Sequence, residues 1–161
     1  MRTIAEILKV VSDWDGVLVV SPGPGDGSPE IAWGDSFIYY EPEGTMPKNR
    51  QPFATIVTKD YPDDHQSLLD REGVYRVNFH PGPETFTARA EAAGTDATVL
   101  DQFIVHPVYG PYGWLAVLNR GDQTSSVTGE LLREAYELDR IRYERRRLRR
   151  KNEAPVDRRE G

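Results

Sequence analysis

The segment from residue 52 to 62 (PFATIVTKDYP) constrains the fold most, because both of its sides begin apolar and end polar. Alternate residues of a strand point to opposite sides, so Phe53 and Val57 would lie on one side and Ala54 and Ile56 on the other. We expect a central strand of a sheet covered on both faces. Its polar end, residues 58–61, would sit on a rigid support where binding groups are often placed. A solvated strand end with a local Lys–Asp ion pair is the alternative.

Length and composition predict a single domain with a tail. The chain has 161 residues, which is enough for one domain with a core but too short for two. Its 12 prolines and 14 glycines indicate many turns and short strands. We place the domain at residues 1–141 and a basic helical extension with a disordered tail at 142–161. With no membrane-length apolar run and no signal-peptide pattern, we expect a soluble cytoplasmic protein.

Periodicity predicts an α+β domain with an antiparallel sheet of about five or six strands and with the N- and C-terminal helices on one face. Thr3 and Glu6 form a capping box in the sequence, and Gly16 follows the first helix. Predicted strands cover residues 17–20, 30–33, 36–40, 52–62, 74–79 and 115–119, and predicted helices cover residues 4–13, 84–93, 96–102 and 124 onward.

The net charge of −6 divides unevenly along the chain. From Arg140 onward there are ten Lys or Arg and four Asp or Glu, a net +6, which leaves ten basic and 22 acidic residues, a net −12, before it. An acidic body repels phosphate backbones, so nucleic acid could contact only the tail. The residues for that alternative are Arg142, Arg145, Arg146, Arg147, Arg149 and Arg150.

No strong catalytic motif is present, and the absence of cysteine excludes disulfides, thiolate nucleophiles and Cys-ligated metal centres. We predict no metal site and no cofactor. The catalytic hypothesis takes His106 as acid or base, Lys59 as an anion or oxyanion contact, and Asp35 or Asp60 as the orienting carboxylate. The predicted ligand-binding residues are Trp33, Tyr39, Tyr61, Asn78, Tyr109 and Trp114.

Four segments carry a resemblance to known families: PEIAWGDSF, PFATIVTKDYP, VYRVN and HPVYGPYGW. Over about residues 3–139 the chain resembles the uncharacterised bacterial family named domain of unknown function 6194, of which the TKDYP and HPVY segments are specific marks. The order of elements is more remotely similar to the YjbR (MmcQ-like) family. That similarity implies an antiparallel sheet with helices on one side, related to the frataxin-like fold, and a double-wing DNA-binding module.

Three functions follow as hypotheses. The first is a ligand- or partner-binding domain that uses a concave surface, formed by the polar positions of strand 74–79 and the 106–114 loop. The second is an acid–base or hydrolytic enzyme that uses His106, Lys59 and Asp35 or Asp60. The third is nucleic-acid binding through the basic tail. The expected partner is an unknown small molecule or protein, and not a membrane.

Overall fold

Short apolar strands separated by turns form one six-stranded antiparallel sheet in the computed structural model, which describes residues 3–153. The strands are β1 (Val17–Val20), β2 (Ser36–Tyr40), β3 (Ala54–Val57), β4 (Arg76–Phe79), β5 (Phe103–Val105) and β6 (Leu115–Leu118). They are arranged in the order β1-β2-β3-β4-β6-β5, and every neighbouring pair is antiparallel. The predicted α+β class and the strand number are confirmed.

Three helices complete the fold: α1 (Ile4–Ser12), α2 (Pro83–Glu91) and α3 (Ser125–Glu153). The predicted capping box of α1 is formed, because the Thr3 hydroxyl accepts from the Glu6 backbone N–H at 3.2 Å and the Glu6 carboxylate accepts from that of Thr3 at 3.4 Å. None of the helices within residues 3–153 is long and apolar enough to cross a membrane.

One face of the sheet is buried under α1 and α3. Strand alternation places Ile56 of β3 beside Val77 of β4, and both are fully buried. Ile7 of α1 and Leu131 of α3 pack on the same apolar cluster. The N- and C-terminal helices therefore cover the same face, as the sequence predicted.

The opposite face is covered by chain connections instead of helices. Val57 and Leu118 pack there against Leu69, which comes from the long connection between β3 and β4. The same face also carries Arg76 and Asn78, both buried. The middle strands are thus covered on both sides, but one cover is apolar and the other is partly polar.

Two predicted elements are wrong and one strand was missed. Residues 30–33 form a single 3-10 turn (Glu30–Ala32), because the Trp33 N–H bonds back to the Glu30 carbonyl at 3.0 Å instead of to a neighbouring strand. Residues 96–102 form turns and not a helix. The chain then enters the three-residue strand β5, whose Phe103 pairs with Val117. A strand this short shows almost no periodicity, so residues 103–105 are identified as a strand only by their pairing with β6.

The C-terminal helix continues without a break from the domain into the basic segment. Its last turns still contact the body, since Tyr143 packs edge-on against Tyr40 with ring centroids 5.2 Å apart. Of the predicted tail, residues 142–153 belong to α3, and residues 154–161 lie outside the described residues. The boundary at residue 141 stays a prediction.

Candidate functional site

A cavity lies on the partly polar face of the sheet and extends past the ends of β3 and β4 to α3. Its volume is about 840 Å³, which falls within the range of roughly 300–1,000 Å³ for small-molecule sites. Its walls are mainly aromatic and its floor is polar. The lining includes Phe37, Tyr39, Phe53, Thr55, Tyr61, Asp63, Asp64, Arg76, Asn78, His80, His106, Tyr109, Tyr112, Trp114, Asp139 and Arg142.

A fully buried arginine forms the floor of this cavity. The guanidinium of Arg76 donates to both carboxylate oxygens of Asp64, one of them at 3.0 Å, and to the Ser67 hydroxyl at 3.0 Å. Burying a charge is expensive unless it is paired and hydrogen-bonded, and both conditions hold here. The pair is electrically neutral as a unit, so the floor is polar without a net charge from Arg76 and Asp64.

A chain of hydrogen bonds runs along the floor from Arg76 through Asn78 to Thr55, and each residue donates to the next. Arg76 Nε donates to Asn78 Oδ1 at 2.7 Å, and Asn78 Nδ2 donates to Thr55 Oγ1 at 2.9 Å. Because a guanidinium only donates, the Asn78 amide has its oxygen toward Arg76 and its nitrogen toward Thr55. The Thr55 hydroxyl accepts from Asn78 and keeps its own proton available to the cavity.

His106 lies beside Arg76 as a neutral imidazole. Its Nδ1 accepts from the backbone N–H groups of Val108 at 3.1 Å and Tyr109 at 3.0 Å, so the ring proton is on Nε2. Burial, followed by the nearby Arg76 charge, lowers the pKa of His106 to about 4, although Asp64 opposes that shift. Nε2 lies 3.1 Å from Nη2 of Arg76 and 3.8 Å from Oδ2 of Asp64. Its N–H therefore has no short acceptor among these neighbours.

The mouth of the cavity carries an aromatic pair and a set of charges. His80 lies against Trp114 with ring centroids 5.7 Å apart, and its pKa is lowered by burial and by the Arg142 charge.

Asp139 accepts from Arg50 at 3.2 Å and from the Tyr40 backbone N–H at 3.1 Å. Burial raises the pKa of Asp139, while Arg50 opposes that shift. Arg142 makes no hydrogen bond or ion pair with residues 3–153.

Asp35 and Lys59 of the catalytic hypothesis meet, but they do so outside this cavity. Asp35 is fully buried, and its carboxylate accepts from the Thr58 backbone N–H at 2.8 Å, from Lys59 Nζ at 3.1 Å and from the Tyr61 hydroxyl. Lys59 Nζ also donates to the Trp33 carbonyl at 2.6 Å. Burial and the bond to Asp35 raise the pKa of Tyr61. These residues, which we call the Asp35 cluster, hold the segment that follows β3 against the turn before β2.

Asp60 and His106 belong to two further groups of contacts. Asp60 accepts from the Leu69 backbone N–H at 2.8 Å, and so holds the connection between β3 and β4. Tyr61 links the Asp35 cluster to the cavity, because its backbone pairs with that of Asp64 at 3.0 Å in both directions. Among the described residues, Asp35, Lys59 and Asp60 are not part of the cavity lining, whereas His106 is.

Most of the aromatic residues singled out from the sequence line the cavity. Tyr39, Tyr61, Tyr109 and Trp114 do so, together with Asn78. Trp33 is not among the lining residues, and its indole N–H donates to the Ser28 hydroxyl at 3.2 Å. The lining also includes α3 side chains, so the concave surface is wider than the predicted one.

Sequence reasoning missed the two residues at the centre of the floor, Arg76 and Asp64. The alternation of strand 74–79 placed Arg76 on a polar side but could not show that this side is buried. Asp64 belongs to an acidic turn that resembles a solvated loop. The available signal was an arginine between two apolar residues of a strand, since a charged residue there needs a partner from elsewhere.

The structure distributes the basic residues of the tail among different surroundings. Arg142 lines the large cavity, whereas Arg146, Arg147 and Arg150 line a second depression beside residues 41–50. Arg145 and Arg149 line neither of these two depressions. Within residues 3–153 no group of three or more His, Asp or Glu side chains could hold a metal ion.

The fold and the cavity together define an α+β domain with an open antiparallel sheet and an aromatic-walled cavity. A family model described as "Family of unknown function (DUF6194)" matches residues 2–148, and the chain belongs to this family. The predicted family is thereby confirmed, and the remote similarity to the YjbR family stays a prediction. No curated protein and no solved structure matches the chain.

Proposed function

We propose that this domain binds a small planar organic molecule that carries hydrogen-bond acceptors. The observation that supports the proposal best is the row of unused donors on the cavity floor. The Thr55 hydroxyl retains a proton, and the group that the described residues place within hydrogen-bond distance of His106 Nε2 is Arg76 Nη2, which is itself a donor. Thr55 is half-buried and His106 is buried, so a ligand oxygen or ring nitrogen would give these donors an acceptor where water has limited access.

The walls suit a flat ring. Tyr109 lies against His106 with ring centroids 4.9 Å apart, and Trp114 stands beside His80 at the mouth. Aromatic side chains gain most from offset or edge-on contact with another ring, and Tyr and Trp lose little conformational freedom on binding. Arg142 at the rim offers a cation to an acidic substituent of the ligand.

The acid–base alternative has weaker support from the geometry. A general base works best when its pKa is near the working pH, whereas the pKa of His106 is about 4. Lys59, Asp35 and Asp60 are occupied by structural hydrogen bonds outside the cavity. The binding hypothesis therefore accounts for more of the cavity than the catalytic one does.

The test is a thermal-shift screen with planar heteroaromatic carbonyl and carboxylate compounds, followed by calorimetric titration of the compounds that raise the melting temperature. Thr55→Val removes one donor with little change in volume, and we expect about fivefold weaker binding, since a hydrogen bond contributes roughly 1 kcal/mol. Tyr109→Ala removes a half-exposed wall and should weaken binding as well. Thr87→Val, on the exposed surface of α2, is the matched control and should leave the affinity unchanged.

Trp33→Phe tests whether the ligand site includes Trp33, as the sequence predicted, or excludes it, as the cavity lining indicates. Since Trp33 does not line the cavity, we expect the affinity to stay within about twofold, as is usual for a residue that makes no ligand contact. A ligand whose affinity is unchanged in both Thr55→Val and Tyr109→Ala would bind elsewhere and would contradict the proposal.

A further inference from the structure

A second depression lies between α3 and the connection that joins β2 to β3. We call it the Arg146 groove, and its volume is about 370 Å³. Five cationic side chains line it: Lys48, Arg50, Arg146, Arg147 and Arg150. The two acidic residues in its lining are Glu41 and Glu43. The groove is therefore a local concentration of positive charge next to an otherwise acidic body.

Only some of these cations are neutralised by partners in the described part of the chain. Arg50 pairs with Glu41 at 3.2 Å, and Arg147 pairs with Glu144, outside the groove, at 3.0 Å. Lys48, Arg146 and Arg150 make no ion pair with residues 3–153. Glu41, already paired with Arg50, also attracts Arg146, and Glu43 is the lining carboxylate that makes no ion pair with residues 3–153. An excess of cations remains even after this carboxylate is counted.

Two guanidinium groups of the groove also contain donors that lack an acceptor. Arg50 Nε and Arg146 Nη2 are buried atoms that find no hydrogen-bond partner within residues 3–153. Burial, and then the neighbouring charge of Arg50, lowers the pKa of Arg146, although Asp139 opposes this shift. The surroundings of Arg146 thus hold more positive charge and more N–H donors than the protein itself satisfies.

We propose that the Arg146 groove binds a phosphate group. A phosphate provides several acceptor oxygens and up to two negative charges, which suits paired guanidinium groups better than a single carboxylate does. Arg146 and Arg150 are four residues apart on α3 and so present their side chains on the same side of the helix, while Lys48 approaches from the facing connection. The groove therefore offers cations from two walls to one anion.

The proposal divides the basic residues of α3 into two sets that can be compared directly. Arg146 and Arg150 line the groove, whereas Arg145 and Arg149 do not. The double variants R146Q/R150Q and R145Q/R149Q remove the same charge from the same stretch of helix. Any difference between them reports on the groove and not on the net charge of the tail. The proposal is independent of the cavity ligand.

The experiment is calorimetric titration of the full chain with inorganic phosphate and with pyrophosphate at constant ionic strength. We expect pyrophosphate to bind at least about tenfold more weakly to R146Q/R150Q, because charged hydrogen bonds are lost, and within about twofold of the original affinity to R145Q/R149Q. Arg150→Gln and Lys48→Gln alter exposed side chains. Each should weaken pyrophosphate binding on its own, even if Arg146→Gln disturbs the fold.

A phosphate group could come from a small phosphorylated molecule or from a nucleic-acid backbone, and a fluorescent single-stranded oligonucleotide distinguishes these sources. If the oligonucleotide binds, is displaced by pyrophosphate and is lost in R146Q/R150Q, the backbone is the source. If pyrophosphate binds and the oligonucleotide does not, the source is a small molecule. Absence of pyrophosphate binding, or an equal loss in the two double variants, would overturn the proposal.

Discussion

The two faces of strands β3 and β4 are buried by different means. On one face Ile56 and Val77 are covered by helices through apolar contacts alone. On the other, Arg76 is equally inaccessible, but its burial depends on Asp64, Ser67 and Asn78. Apolar burial is non-directional and tolerates small changes, whereas a buried charge requires each of its partners. The same strands therefore provide a core that tolerates small changes on one face and a cavity floor that depends on each polar partner on the other.

The largest effect should come from removing the partner of the buried charge. Asp64→Ala leaves Arg76 unpaired, and we expect the free energy of unfolding to fall by about 3–5 kcal/mol. Urea denaturation followed by circular dichroism measures this change. The double substitution Arg76→Met and Asp64→Leu removes both charges and should recover much of the loss. If the double variant were as unstable as Asp64→Ala alone, the loss of stability could not be attributed to the unpaired charge of Arg76.

Protonation of His106 should destabilise the same floor. Its pKa in the folded protein is lowered from 6.5 to about 4, so on acidification the unfolded state takes up the proton first. The contribution of neutral His106 to the free energy of unfolding is complete above about pH 6.5. It is lost as the pH falls from 6.5 to 4, and the total loss is of the order of 3 kcal/mol. His106→Asn keeps an acceptor for the Val108 and Tyr109 N–H groups and should flatten this dependence.

Unfolding measured from pH 7 to 4 on both proteins provides the test. His80, whose pKa is also lowered, remains in both, so the difference between the two curves isolates His106. Parallel curves for the two proteins would contradict the predicted protonation behaviour.

A smaller effect is expected at the Asp35 cluster. Tyr61→Phe removes the hydroxyl that donates to the buried Asp35 carboxylate, and stability should fall by about 1.5–3 kcal/mol, the range for hydrogen bonds to charged groups. Tyr112→Phe is the matched control, because Tyr112 is 74% exposed, and should have no measurable effect. Equal stabilities of the two variants would mean that Asp35 is held adequately by Thr58 and Lys59.

The smallest effect should appear on the helix-covered face. Ile56→Val removes one buried methyl group, and we expect a loss of about 0.5–1.5 kcal/mol in the same denaturation assay. The ratio of this loss to that of Asp64→Ala quantifies the contrast between the two faces. A loss as large as that of Asp64→Ala would remove the contrast.

Much of the fold could be predicted from local patterns. The capping box at Thr3 predicted the start of α1, and alternation in residues 52–62 predicted a central strand covered on both faces. The strand at 103–105 could not be found in the same way, since three residues carry almost no periodicity. Residues 30–33 were mistaken for a strand because apolar composition alone does not distinguish a tight turn from an extended segment.

The candidate site was only partly accessible from the sequence. Aromatic residues and glycines concentrated in residues 106–114 indicated a shaped loop, and its Tyr109 and Trp114 do line the cavity. The grouping of Lys59 and Asp60 with His106 followed from their chemistry and not from their positions. In the structure Lys59 is held by Asp35 and Asp60 by the backbone of Leu69, so these residues stabilise the exit of β3.

By itself the sequence determined the elements whose signals are local: an amphipathic first helix, a doubly apolar central strand, a long C-terminal helix and a chemistry without cysteine. Only the tertiary structure decided which polar residues meet. The order β3-β4-β6 places Asn78 opposite both Thr55 and Ala116. Strand register and long connections then bring Asp64 and His106 to Arg76. The physical reason is that apolar periodicity is a property of neighbouring residues in the sequence. The partner of a buried charge, in contrast, comes from a distant part of the chain and is set by strand register and chain connections.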